Sequence, residues 1–175
     1  MPIKRANIDA LQQVRTLLLQ INDDDYTHCN PLSSSAIGHH VRHALDHYWA
    51  VQQGLKDGLI HYDTRRRNSA LESDRNLSLD LIEQCCEWLG SNLDLQQPCR
   101  IVNEVGLYHT ESVTITSSLQ RELCYLLNHT IHHTAYMVLL ARSFGINTPQ
   151  NLGLAPSTAT YLRQQAGDQQ EVNIR

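Results

Sequence analysis

Apolar residues near the start of the chain recur as Ile8, Leu11, Val14, Leu18 and Ile21, the steps of three and four that place side chains on one helix face. The pattern predicts a first helix with Asn7 as its N-cap and the polar run Asn22-Asp23-Asp24-Asp25 as its end. Turn formers and Pro31 follow. The run Ser33-Ser34-Ser35 then offers N-caps for a second helix reaching about Leu55, with Ile37, Val41, Ala44, Tyr48, Val51 and Leu55 as its apolar stripe. Residues 58–75 are polar, irregular and arginine-rich, and a third helix with Leu79, Ile82, Cys86 and Leu89 on one face is expected to end near Gly90.

Residues 101–105 and 112–116 are β-branched segments separated by Gly106 and polar residues, which predicts a small β-hairpin or extended excursion before the last long helix. That fourth helix starts near Ser117 or Ser118, with Ser117-x-x-Gln120 reading as a capping box, and closes at Phe144-Gly145 with Gly145 just past its end. Pro149 and Pro156 then break the pattern, a short helix is expected over residues 157–165, and the tail beyond Gly167 is expected to be loose. Four amphipathic helices in a chain of this length predict an all-α fold, a four-helix bundle over residues 1–152 followed by a C-terminal extension over residues 153–175.

Composition narrows the function classes. A length of 175 residues suits one domain, and 41% hydrophobic with 18% charged residues is globular. No stretch of about 18 apolar residues runs uninterrupted, so no membrane partner is expected. The opening Met1-Pro2-Ile3-Lys4-Arg5 is followed by Ala6-Asn7-Ile8-Asp9 rather than an apolar core, which predicts cytoplasmic residence. Five cysteines, Cys29, Cys85, Cys86, Cys99 and Cys124, carry no C-x-x-C spacing and suit reduced thiols. A formal net charge of −4, with Arg65-Arg66-Arg67 as the only dense basic cluster, gives no drive toward nucleic acid.

Histidine is the residue type that stands out, ten in all, with seven in the stretches 38–48 and 128–136. On the fourth helix the face Leu119, Glu122, Leu126, His129, His133, Met137 and Leu140 places two histidines and a glutamate inside a core stripe. An i,i+4 histidine pair puts both imidazoles one turn apart on the same side, where they can converge on one ion. The same rings could instead hydrogen-bond to carboxylates or carbonyls. A second cluster, His39, His40, His43 and His47, lies on a helix that a bundle can place opposite the first. Helical geometry leaves the third ligand open: His40 and His47 lie nearer the apolar stripe and His43 on its flank, while His39 reads as a solvated residue.

The segment Ser35-Ala36-Ile37-Gly38-His39-His40-Val41-Arg42-His43-Ala44-Leu45-Asp46-His47-Tyr48, followed by Asn128-His129-Thr130-Ile131-His132-His133, resembles the DinB-like superfamily, which includes the YfiT-like proteins. There a second-helix histidine, followed three residues later by an acidic residue, joins two histidines four apart on a later helix to bind one metal. His43 with Asp46 matches the first, and His129 and His133 match the others. The resemblance implies a four-helix bundle with a long crossover and a homodimer. Relatives of known chemistry include thiol-dependent transferases, a mycothiol-dependent maleylpyruvate isomerase and the amino-terminal half of iron-dependent sulfoxide synthases.

Three neutral imidazoles leave a divalent ion an open position for water or substrate. Imidazole suits zinc, nickel and iron alike, so ligand type does not name the metal. The reading that follows is a metal-dependent transferase or hydrolase, with thiol-linked transfer to a small molecule as the form the resemblance favours. A non-catalytic metal-binding or sensing protein is the alternative. A di-iron bundle would need E-x-x-H helices, and Glu122 stands seven residues from His129. As candidate catalytic residues, His47 can donate or accept a proton, and Glu122 can act as base, orient a ligand ring or pair with an arginine. Arg65 and Arg67 are the candidate contacts for an anionic substrate or cofactor.

Overall fold

A computed structural model describes residues 1–30, 34–64 and 66–172. Helix α1 (Pro2–Leu18) begins well before Asn7, because Pro2 lies in the first turn, where its missing N–H has no intrahelical partner to lose and its φ is already helical. Asn7 is therefore an interior residue rather than a cap, and it is fully buried. Its Nδ2 donates to the carbonyls of Ile3 at 2.9 Å and Leu123 at 3.0 Å, and its Oδ1 accepts from the Tyr48 hydroxyl at 2.8 Å. Thr130 Oγ1 donates to that hydroxyl at 3.2 Å. Burial pushes the Tyr48 pKa upward, so the phenol stays neutral and keeps its proton for Asn7.

Helix α1 ends at Leu18, before the polar run expected to stop it, so Ile21 lies outside the helix, and the run instead opens a new one. Asn22 Oδ1 accepts from Asp25 N at 2.8 Å and caps the short α2 (Asp23–Thr27). Helix α3 (Ile37–Asp57) closes where Gly58 takes φ 70. Helix α4 (Arg75–Gly90) is capped by Asp74, whose Oδ1 accepts from Leu77 N at 2.9 Å. Helix α5 (Leu119–Ser143) is capped by Ser118, and the expected Ser117-Gln120 box is absent because Ser117 Oγ donates to Glu122 instead. Past α5, Gly145 adopts φ 82, and Ile146 N reaches back to Ala141 O at 3.0 Å, the left-handed closure that glycine accepts without a Cβ clash. The last helix, α6 (Pro156–Val172), runs beyond Gly167, where a loose tail was expected.

Among the described residues three short strands form one sheet in the order β1 (Leu59–His61), β2 (Pro98–Glu104), β3 (Ser112–Ser118). The expected hairpin is its antiparallel β2–β3 pair, with Ile101 opposite Ile115, and β1 adds to β2 in parallel with Ile60 opposite Ile101. Ile60 and Ile101 are buried, while Val113 and Ile115 on the edge strand are exposed.

The fold is mostly helical. Helix α1 packs on α4 and α5, and α3 packs on the same two. Leu11, Leu17, Val41, Leu45, Ile82, Leu89, Leu123 and Leu126 meet in one shared core. A 3-10 turn, Ala70–Glu72, sits tightly on α3: a Cβ at Gly38 would lie 2.2 Å from the Glu72 carbonyl oxygen, so only glycine permits the approach. All five cysteines are unbridged. Among the described residues no helix is long and apolar enough to cross a membrane.

Candidate metal centre

Helices α3 and α5 run antiparallel, so residues ascending on one face residues descending on the other. His40 meets His133, His43 meets His129, and His47 lies beside Tyr125. Both helices bury their apolar stripes, Val41, Ala44 and Tyr48 on α3 and Leu123, Leu126 and Met137 on α5. His40, His43, His129 and His133 at the shared border are thereby held half-buried rather than swung into solvent.

Among the described residues one group has the donor types and spacing for an ion: ligating atoms of His43, His129 and His133 all lie within 4.8 Å of one another. His43 Nε2 and His129 Nε2 are 3.1 Å apart. Two nitrogens bound to one tetrahedral ion at about 2.0–2.1 Å lie about 3.4 Å apart, so this spacing is near that of two ligands on one ion. The ring centroids of the three residues are 4.6–4.9 Å from one another, and their planes are inclined by 60–79°. Convergent nitrogens with splayed rings are the arrangement a shared ion requires, and the cluster is compatible with a metal site.

His47 is buried and lies just behind this group. Its Nδ1 is 2.9 Å from the His43 carbonyl oxygen. A carbonyl only accepts, so Nδ1 carries a proton. The His47 ring packs on His129 with centroids 4.0 Å apart and stacks on Tyr62 at 5.2 Å. Tyr125 stacks on the other neighbour, His129, at 5.4 Å.

Glu122 is fully buried about two turns before His129 and accepts three hydrogen bonds: from the Tyr62 hydroxyl at 2.5 Å, from Ser117 Oγ, and from Arg121 Nη1 at 3.1 Å. Burial, reinforced by the Glu122 charge, pushes the Tyr62 pKa upward, so the phenol remains a donor. The carboxylate thus ties β3 and the loop after β1 to α5.

Of the arginine run, Arg67 is exposed, and Arg65 lies outside the described residues. Arg66 is committed to the fold. Its backbone N and its Nε donate to Asp46 at 3.1 and 2.7 Å, and its guanidinium lies 4.9 Å over the Trp49 ring. Asp46, buried three residues after His43, also accepts from Arg42 Nη1 at 3.0 Å, while Arg42 Nε donates to Glu72 at 2.9 Å. His39 Nε2 stands 3.7 Å from Glu72, and His132 is exposed, so neither joins the cluster.

Two residues here escaped sequence reasoning. Tyr62 and Tyr125 belong to no periodic stripe, and only their tertiary placement beside His47 and His129 singles them out. His40 was visible as a histidine near the apolar face, but its partner was not. Its Nδ1 is 3.1 Å from His133 Nδ1, and its ring packs against Tyr136 at 4.5 Å. Burial, together with neighbouring His39, Arg42 and His132, pushes the His40 imidazole down to about 4, so it is neutral near pH 7.

Comparison with known proteins agrees with the histidine pattern. A sequence model of the DinB family matches residues 4–169. Among curated proteins, FK506-binding protein 5 of Rhizopus delemar is 29% identical over 109 residues, covering 61% of this chain and 28% of that protein. The chain therefore spans less than a third of that relative's length. No solved structure matches.

Proposed function

Because the chain belongs to the DinB family, we propose that His43, His129 and His133 hold one divalent ion, zinc, nickel or iron, in an enzyme of transferase or hydrolase type whose reaction is thiol-linked transfer to a small molecule. The observation that supports this most is the convergence of three imidazoles from two antiparallel helices, two of their Nε2 atoms 3.1 Å apart. A site with three protein ligands keeps a position for an exogenous group, whereas a purely structural site of this kind takes four. Within this reading α1, α3, α4 and α5 form the four-helix bundle of residues 1–152, and residues 153–175 are its extension.

A divalent ion bound there supplies Lewis acidity, lowering the pKa of a coordinated water or thiol. The chain's own residues do the rest. His47, held by the His43 carbonyl at Nδ1 and packed on His129, is the residue assigned to receive a proton from the attacking group. The rings of His47 and Tyr125 flank His129 and limit how far it can rotate. Glu122, already engaged by three donors, holds Tyr62 and through it the His47 stack. Arg65 and Arg67 remain the candidates for an anionic group on the substrate, and Arg66 between them is bound to Asp46.

Cobalt(II) in the site provides the test. Adding a small thiol is expected to change the d–d and charge-transfer bands saturably, since a coordinated sulfur alters the ligand field. His47→Ala is expected to keep one cobalt and the thiol response while losing metal-dependent conjugation of that thiol to electrophiles. If no thiol, anion or water analogue alters the spectrum, the enzyme reading fails and a binding or sensing protein takes its place.

A further inference from the structure

We propose that His40 is a positioning residue for His133, holding that ring in the one tautomer that can present Nε2 to the ion. The inference rests on the metal reading above and on a proton count. A neutral imidazole carries one N–H, and a hydrogen bond between two Nδ1 atoms needs one donor and one acceptor. If His133 Nε2 is to ligate, it must lack hydrogen, so the ring's only proton sits on Nδ1 and is donated to His40. The reverse arrangement puts the His133 proton on Nε2 and blocks ligation. The 3.1 Å contact is therefore coupled to metal binding rather than indifferent to it.

Geometry fixes this role to His40. It lies one turn before His43 on α3, and the antiparallel register sets it against His133 as it sets His43 against His129. Its ring is wedged against Tyr136 and cannot swing away cheaply. With Nδ1 accepting, the His40 proton resides on Nε2, which is buried and has no hydrogen-bond partner among the described residues. A buried polar atom left without a partner costs stability.

The test uses the full chain, stripped of metal and titrated with zinc against a chromophoric chelator, then with cobalt for its spectrum. His40→Ala is expected to weaken zinc binding about 10- to 100-fold, the usual consequence of removing a partner that orients a ligand. At saturation it should still hold one cobalt with an unchanged coordination number. His40→Gln, whose amide oxygen can accept from His133 Nδ1–H, should recover part of the loss, and melting of both apo variants controls for folding. An effect of twofold or less in His40→Ala, or no recovery in His40→Gln, overturns the proposal. So does a saturated cobalt spectrum with one nitrogen ligand fewer, because His40 would then be a ligand. A wild-type chain that takes no metal sinks the site reading itself, which is a different failure from normal metal binding in His40→Ala.

Discussion

Zinc at a hundred to a thousand times its dissociation constant is expected to raise the melting temperature of the apo chain by roughly 5–15 °C, and His129→Ala or His133→Ala should abolish the shift. A ligand that binds only the folded state adds about 2.7–4.1 kcal/mol over that concentration range. Each kcal/mol moves the midpoint by about 2–4 °C in a domain of this size. The effect depends on folding because the three imidazoles converge only when α3 and α5 are packed, with His43 and His133 ninety positions apart in the chain. Either substitution on α5 leaves two nitrogens, and affinity should fall by more than the 10- to 100-fold typical of removing an orienting partner. The shift should shrink as pH drops toward about 6, since an ordinary imidazole protonates near pH 6.5 and a protonated ring cannot ligate. Differential scanning fluorimetry across pH 6–8 checks it, and an equal shift in wild type and both variants would refute the assignment.

Glu122→Ala should lower stability by about 2–4 kcal/mol, a fall in melting temperature on the order of 10 °C, while leaving one metal bound. The side chain is fully buried, and its removal strands the buried Tyr62 hydroxyl and Ser117 Oγ together. Arg121 is 60% exposed, so water replaces its lost partner and little of the cost arises there. Glu122→Gln, which keeps an acceptor for Tyr62, should lose about half as much. Urea unfolding of the apo forms measures the difference. An unchanged midpoint would remove Glu122 from the framework and return it to consideration as a base.

How much of this was legible from sequence depends on whether a feature is local. The α5 stripe, with His129 and His133 set among Leu126, Met137 and Leu140, follows from periodicity alone, and Gly145 as its stop follows from chain chemistry. The hairpin was legible for the same reason, its two β-branched segments being close in sequence. Strand β1 was not, because three residues carry no period and exist as a strand only by pairing with β2. Asn7 was misread as a cap because its amide looks like one locally, while its partners, Leu123 and Tyr48, are far away in the chain. The site divides the same way. Two histidine clusters could be seen, but whether His40, His43 or His47 joins the α5 pair depends on helix register, which brings His43 Nε2 to His129 and leaves His40 facing His133. Periodicity marked Glu122 as anomalous, and only the tertiary structure supplied Tyr62 and Ser117 as its donors.

The most direct measurement is elemental analysis of the zinc-loaded chain together with X-ray absorption at the zinc edge. The account predicts one zinc per chain with three imidazole nitrogens at about 2.0–2.1 Å and a lighter, exchangeable fourth neighbour, falling to near zero zinc in His43→Ala, His129→Ala and His133→Ala. Full zinc content in any two of those variants, or a first shell without imidazole nitrogens, would contradict it.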